Sequence, residues 1–288
     1  MDSETVDMRA ITDADVGRVA AFFTSELNPR VTPDEWAILL SPPWTTSAPN
    51  HGFQLLVGDR IVGAYAAVYS ERIIRGESLR ICNLAAFCVL DEYRAHSFRL
   101  MRAILGQKGF EFTDLSPSGN VVALNERLGF VRLDTTTRLV VNLPGLPQRG
   151  LTVTSDPARL ASVLQGDDAR IYADHRLAPA AHHLLVTSGD AYGYVMFRRD
   201  RRKGLPLFAT PLFAGGDLAL VERAWPSIAG HLLVRHGAPA TLAEHRVLGF
   251  TPRRGVELAS PRAKMFRSKT MPAADVDYLY SEMTLVEW

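Results

Sequence analysis

The segment FQLLVGDRIVGAYAAVY, beginning at Phe53, and the segment HHLLVTSGDAYGYVMF, beginning at His182, follow one pattern. Each has an apolar strand containing Leu-Leu-Val, a polar turn, and a second strand with an early glycine, Gly63 or Gly193. Farther on, LNERLGFVR (Leu124 to Arg132) is answered by AEHRVLGFTPR (Ala243 to Arg253). Upstream, MRAITDADVGRVAAFF is answered by LTVTSDPARLASVL. Landmarks repeated in one order mean one supersecondary plan built twice, which removes most alternative folds at once. Each half reads as strand, helical segment, two strands forming a hairpin, long strand, helix, strand, helix, then a Leu-Gly-Phe turn into a last strand. The expected class is therefore α/β with mixed sheets, in two domains of one plan.

Local signals agree with this plan. Thr12 and Ser155 precede their helical segments with acidic residues close by, as helix starts require. The joint, NLPGLPQRGL (Asn142 to Leu151), has two prolines and two glycines that interrupt regular structure. It places a boundary near Pro147, with an N-terminal domain over 1–146 and a C-terminal domain over 147–260. Residues 261–288 form an extension whose Tyr278, Tyr280 and Trp288 predict packing on the body.

At 288 residues, 47% hydrophobic and 22% charged, the chain has the profile of a soluble globular protein. A net charge of +1 gives no reason to expect nucleic acid as a partner. No apolar run approaches the roughly 18 residues of a membrane span, and the polar, acidic start MDSETVDMRA is no export signal. Cys82 and Cys88 fall on the same face of one strand but about 20 Å apart at ~3.3 Å per residue, too far for a disulfide. A reduced, cytoplasmic protein is expected.

The stretch VLDEYRAHSFRLMRAIL, from Val89 to Leu105, passes from a strand end through a polar turn into an amphipathic helix. Such corners present backbone N–H groups to phosphates, although cradles of this kind usually contain glycine and this one has none.

The element order and these residues together resemble the GNAT superfamily of acyl-CoA-dependent N-acyltransferases. The resemblance runs from about Met8 to Leu133, and more weakly from Leu151 to Arg254. The family's fourth strand ends in an apolar-Val-x-x-x-Tyr-Arg pattern, matched here by Phe87, Cys88, Val89, Tyr93 and Arg94. The glycine positions of its Arg/Gln-x-x-Gly-x-Gly/Ala turn hold Ser97 and Arg99, and Asn125 stands where the family often has tyrosine. The resemblance implies an acetyl-CoA or longer acyl-CoA donor. Its pantetheine arm would lie along the backbone of Phe87, Cys88 and Val89, and its pyrophosphate on the N–H groups of Ala95, His96, Ser97, Phe98 and Arg99. Ser97 would add a hydroxyl, and Arg94 and Arg99 charge, in place of close glycine approach. The second half passes through Gly215, Gly216 and Asp217 into its helix. An aspartate there repels phosphate, so the second domain is a degenerate copy and one site is expected, in the first half.

Acyl transfer to an amine requires a base near the thioester. Asp114, at the end of the fifth strand, and Asn83, in the fourth, border the gap into which the thioester would project. Asp114 is the candidate base, and capping of the SPSGN turn is its alternative role. Asn125 would offer the sulfur an amide hydrogen bond. No histidine is placed near Cys88, so a covalent acyl-enzyme is not expected. His231 and His236, or His182 and His183, lack metal-ligand spacing, and no metal is expected. RRDRRKG (Arg198 to Gly204) reads as a solvated basic hairpin tip. The leading function is acyl transfer to a primary amine of a small molecule such as an amino sugar, amino acid or other metabolite. The alternatives are a non-catalytic acyl-CoA sensor or structural module, and an acyltransferase that takes its donor from an acyl carrier protein. A second copy of the chain, as a homodimer, is a further partner the sequence allows.

Overall fold

The computed structural model describes residues 5–145, 148–202 and 204–287. The chain first forms β1 (Val6–Ala10), α1 (Val16–Glu26), α2 (Pro33–Leu40), β2 (Gly52–Val57), β3 (Arg60–Ile74) and β4 (Glu77–Val89). Next come α3 (Ser97–Leu105), β5 (Glu111–Asp114), α4 (Gly119–Arg127) and β6 (Val131–Arg132). It continues through β7 (Thr137–Val141), β8 (Thr152–Thr154), α5 (Pro157–Val163), α6 (Gly166–His175), β9 (His182–Ser188) and β10 (Ala191–Arg202). The remainder is β11 (Leu205–Gly216), α7 (Leu218–Arg223), α8 (Trp225–His236), β12 (Ala240–Glu244), α9 (His245–Leu248), β13 (Val256–Glu257), β14 (Met265–Arg267) and α10 (Glu282–Leu285).

Two mixed seven-stranded sheets result, in the orders β1-β2-β3-β4-β5-β14-β6 and β8-β9-β10-β11-β12-β7-β13. The orders match position by position, with one exchange. β7 leaves the first half to lie between β12 and β13, and β14 returns from the far end of the chain to lie between β5 and β6. Sheet membership therefore departs from the boundaries read from the sequence. Residues 137–141 belong to the second sheet, and residues 265–267, from the extension, to the first. Pro147 itself lies outside the described residues.

The repeated Leu-Gly-Phe has a backbone cause. Gly129 and Gly249 have φ of +85° and +74°. Both follow a helix, where the left-handed conformation that glycine tolerates best stops the helix and turns the chain. Helix α2 starts with the Thr32 side chain and Glu35 capping each other's backbone N–H and Pro33 in the first turn. Helix α5 differs: Asp156 caps it by accepting from the Ala158 N–H. The Ser155 hydroxyl instead lies 3.0 Å from Nε2 of both His231 and His236.

Strand β3 is covered on both faces. Ala64, Ala66 and Val68 pack in a core with Phe23 and Trp36 of α1 and α2. Tyr65, Ala67 and Tyr69 pack in another with Leu100 and Met101 of α3 and Val122 of α4. The first of these cores also takes Leu160, Tyr172 and Tyr194 from the second half and Leu279 and Leu285 from the C-terminal segment. Each such side chain, fully buried, contributes about 1.5–3 kcal/mol, so the halves are joined by apolar packing as well as by exchanged strands. Tyr278, Ser281, Glu282 and Leu285 are all at most 1% exposed, and α10 rests on α2 and β4.

Arg198 corrects the reading of the basic hairpin tip. It lies within β10, is 2% exposed, and its Nε is 3.1 Å from Asp200. The hairpin strands are long enough to carry it into the interior. Among the described residues no helix is long and apolar enough to cross a membrane.

Candidate active site

Strands β4 and β5 run parallel and in register from Ile81–Glu111 to Leu84–Asp114. Beyond that point β5 ends and β4 continues to Val89, so Ala85 to Val89 have no neighbour on that edge. The divergence begins at a bulge. Across β3, Tyr65 pairs with Phe87 and Ala67 with Leu84, leaving two residues, Ala85 and Ala86, opposite Ala66. An extra residue bends the strand and inverts its alternation. Cys82 and Cys88, expected on one face, therefore lie on opposite faces: Cys82 packs in the core under α3 and α4, Cys88 against the one under α1 and α2. Both are free thiols, and burial pushes the Cys88 thiol up to about 11, which leaves it a poor nucleophile at neutral pH.

A cavity of about 350 Å³ opens where the strands part, lined by Ala85, Ala86 and Phe87 of β4, Tyr65 of β3, Trp36 of α2 and Asp114 at the end of β5. Asp114 is 5% exposed. Burial pushes its carboxyl up to about 7, and the nearby charge of Glu282 adds to the rise, against hydrogen bonds from the Asn125 side chain and the Ser116 backbone. Asn125 Nδ2 donates to Asp114 Oδ2 at 2.7 Å. The candidate base is thus in the cavity wall, with its proton affinity close to neutral pH. The Ser116 contact shows that it also holds the following turn, so its two expected roles coexist.

The other two candidates sit behind it. Asn125 is 0% exposed, lies outside the cavity lining and donates from Nδ2 to Asp114, so it orients the carboxylate from behind the wall. Asn83 is 1% exposed, accepts from Thr113 Oγ1 at 2.9 Å, and donates from Nδ2 to the Glu282 carboxylate. Glu282 also accepts from Ser116 Oγ at 2.6 Å. A fully buried carboxylate from the C-terminal segment thus braces β4 and the turn after β5, and burial raises its pKa. No local pattern marks Glu282, because its partner Asn83 is 199 positions away in sequence. Tyr65 is the other residue that the sequence does not single out. Its ring lies 4.6 Å from that of Phe87. Burial, then the charge of Asp114, keeps its phenol protonated well above the usual range.

The corner after β4 differs from the expected cradle. Residues Asp91–His96 form a 3-10 helix that runs straight into α3. The Tyr93 N–H is taken by the Leu90 carbonyl and the Ser97 N–H by the Arg94 carbonyl. Without glycine the turn has no residue suited to positive φ, and the chain stays helical instead of opening its amides. The helical run begins at Asp91 and Glu92, so carboxylates stand at its start. Arg94 pairs with Asp91 at 2.8 Å and is largely exposed. Arg99 Nη1 donates to the Val6 carbonyl at 2.8 Å and to His96 Nδ1 at 3.1 Å, which ties α3 to β1. Phe98 is 51% exposed. Of the residues expected to hold a donor, Phe87, Cys88 and Val89 offer an open edge, whereas Ala95, His96, Ser97, Phe98 and Arg99 lie in a closed helical run.

The fold as a whole is similar to that of solved acetyltransferase structures. A GCN5-related N-acetyltransferase from Anabaena variabilis superposes with a TM-score of 0.58 at 13% identity, over 91% of this chain and 72% of that one. This is the fold of the GCN5-related N-acetyltransferases. A second acetyltransferase of this fold, from Kribbella flavida, gives a TM-score of 0.51 at 16% identity, over 91% of this chain and 70% of that one. Eis1 from Mycobacterium abscessus gives 0.50 at 16% identity, over 91% and 73%. No family model and no curated protein matches the sequence. In the second half of the acetyltransferase fold, His231 and His236 share the Ser155 hydroxyl, and no cluster of three or more metal-ligating side chains occurs among the described residues.

Proposed function

We propose that the chain is an N-acyltransferase that moves an acyl group from coenzyme A to a primary amine of a small molecule, in a tandem pair of acetyltransferase-fold domains of which only the first is active. The observation that carries this reading is the open β4 edge leading into a cavity walled by a buried carboxylate, whose proton affinity burial raises. A pantetheine arm is peptide-like and can hydrogen-bond along Phe87 to Val89 as an added strand does. That directs the thioester into the gap beside Asp114.

Asp114 as carboxylate takes a proton from the acceptor ammonium, and the neutral amine attacks the thioester carbonyl. As the tetrahedral intermediate collapses, the C–S bond breaks, and the second nitrogen proton ends on the departing thiolate. Tyr65, neutral throughout, can donate a hydrogen bond to that sulfur, the part a tyrosine at position 125 would otherwise supply. Asn125 and Glu282 keep Asp114 and its turn in place. Thiol release from acetyl-CoA in the presence of amines tests the reading. It should depend on Asp114, and absence of acetyl-CoA binding at millimolar concentration removes it.

A second reading has one observation in its favour. The closed corner, with Asp91 and Glu92 at its start, is a poor receptor for a diphosphate. A donor carried on an acyl carrier protein needs the pantetheine edge but neither the diphosphate nor the adenosine. Comparison of acetyl-CoA with an acylated carrier protein as donor separates the two.

A further inference from the structure

The cavity between β4 and β5 constrains the acceptor, and this inference rests on the acyl-transfer reading above. Its walls are apolar over most of their extent: Trp36, Tyr65 and Phe87 supply rings, Leu27 and Val121 aliphatic surface, and Ala85 and Ala86 leave room between them. Among the described residues Asp114 is the one charged residue in the lining. The other polar groups are few. Asn28 lies near the mouth beside Leu27, which is 39% exposed. Ser116 already donates to Glu282. Ser118 precedes α4.

Each acceptor class places a different demand on such a wall. A polyamine brings further ammonium groups, which here meet apolar surface without a second carboxylate. An amino sugar brings several hydroxyls, for which Asn28 and Ser118 are too few. An amino acid brings a carboxylate that is repelled by Asp114 and finds no cation in the lining. Unpaired polar or charged groups are disfavoured in such a place, because they lose water without gaining a partner. An apolar ring next to the partly exposed Phe87 instead gains from burial and from ring contact. The volume of about 350 Å³ has to hold the acyl group as well, which leaves room for about one ring and a short arm within this open cavity.

We infer that the acceptor is a primary monoamine on an apolar, ring-bearing body, with its nitrogen at Asp114 and its ring against the apolar wall that includes Phe87. The probes are 2-phenylethylamine, spermidine, glucosamine and leucine, each tested with the full chain in two ways. Saturation-transfer NMR reads binding of the free amine without any donor. Thiol release from acetyl-CoA reads turnover. The expected result is saturation transfer to 2-phenylethylamine alone, and kcat/KM for it at least about 10-fold above the other three, the scale on which apolar pockets discriminate. Leu27→Trp, which narrows the mouth from a half-exposed position, should weaken 2-phenylethylamine binding about 10-fold while acetyl-CoA affinity is kept. Preference for any other probe, equal response to all four, or no 2-phenylethylamine binding overturns the inference. If 2-phenylethylamine binds and Leu27→Trp removes it, but acetyl-CoA neither binds nor turns over, the acyl-transfer reading fails and the assignment of the cavity stands.

Discussion

The two halves of the molecule repeat a strand plan but treat the gap between its fourth and fifth strands in opposite ways. Both fourth strands carry a bulge at the same place: Ala85 and Ala86 in β4, and Leu212 in β11, where Phe197 pairs with Pro211 and Met196 with Phe213. Both fifth strands end in a carboxylate, Asp114 or Glu244, opposite the first residue of the exchanged strand, Met265 or Thr137. In the first half small alanines leave a cavity and the carboxylate faces it without a cation. In the second half Leu212 is 0% exposed and packs in a core with Val247, Tyr278 and Met283. Glu244 there is 2.5 Å from Lys264 and accepts from the Tyr278 phenol. One architecture therefore yields a buried acid with raised proton affinity where the gap is open, and a structural ion pair where it is filled.

The largest expected effect comes from the acid in the open gap. Asp114→Asn should lower kcat/KM for acyl transfer by about 10²–10⁴-fold, the range for a lost general base. The rise in rate with pH centred near 7 should vanish with it, while acetyl-CoA still binds. In the filled gap the same kind of change acts on stability. Lys264→Met leaves the buried Glu244 only the longer contact with Arg246, at 3.8 Å, as a cation partner, and should cost about 3 kcal/mol in denaturant unfolding. Pairing it with Glu244→Leu should recover much of that loss. If instead Lys264→Met left stability alone and removed activity, the division between the halves would be wrong.

Smaller effects sharpen the division. The raised pKa of Asp114 means that the folded state favours its protonated form. Its contribution is therefore neutral below the unfolded value near 4 and becomes destabilising as pH rises toward 7. Asp114→Asn should then raise Tm at pH 8, with the gain shrinking to nothing by about pH 4. Glu282→Gln takes away a charge that raises Asp114, so the rate limb should move to lower pH, by at most about one unit. Arg99→Ala breaks the tie to Val6 and should cost about 1 kcal/mol of stability, the net value of one such hydrogen bond. Acetyl-CoA affinity should hardly change, because that guanidinium is already engaged.

Much of this fold was legible in the sequence because its signals are local. A Leu-Gly-Phe turn needs a glycine at positive φ wherever it stands, and the hairpin pattern needs only its own residues. Asp114 was legible for the same reason, as the last residue of a short strand before a proline- and glycine-containing turn. The exchange of β7 and β14 was not, since strands that trade equivalent places keep their local patterns unchanged. Nor was the bulge, which turns Cys88 to the opposite face from Cys82 through one extra residue. Glu282 and Tyr65 gain their meaning only from neighbours brought in by the tertiary fold. The corner at 91–97 was misread for a different reason. A family pattern suggested an open cradle, whereas residues without glycine continued a helix.

The contrast between an open and a filled gap can be read most directly by calorimetric titration of the intact chain with acetyl-CoA. Binding at one site per chain, kept in Asp114→Asn, is the expected result. Two sites, or none at millimolar ligand, contradict it.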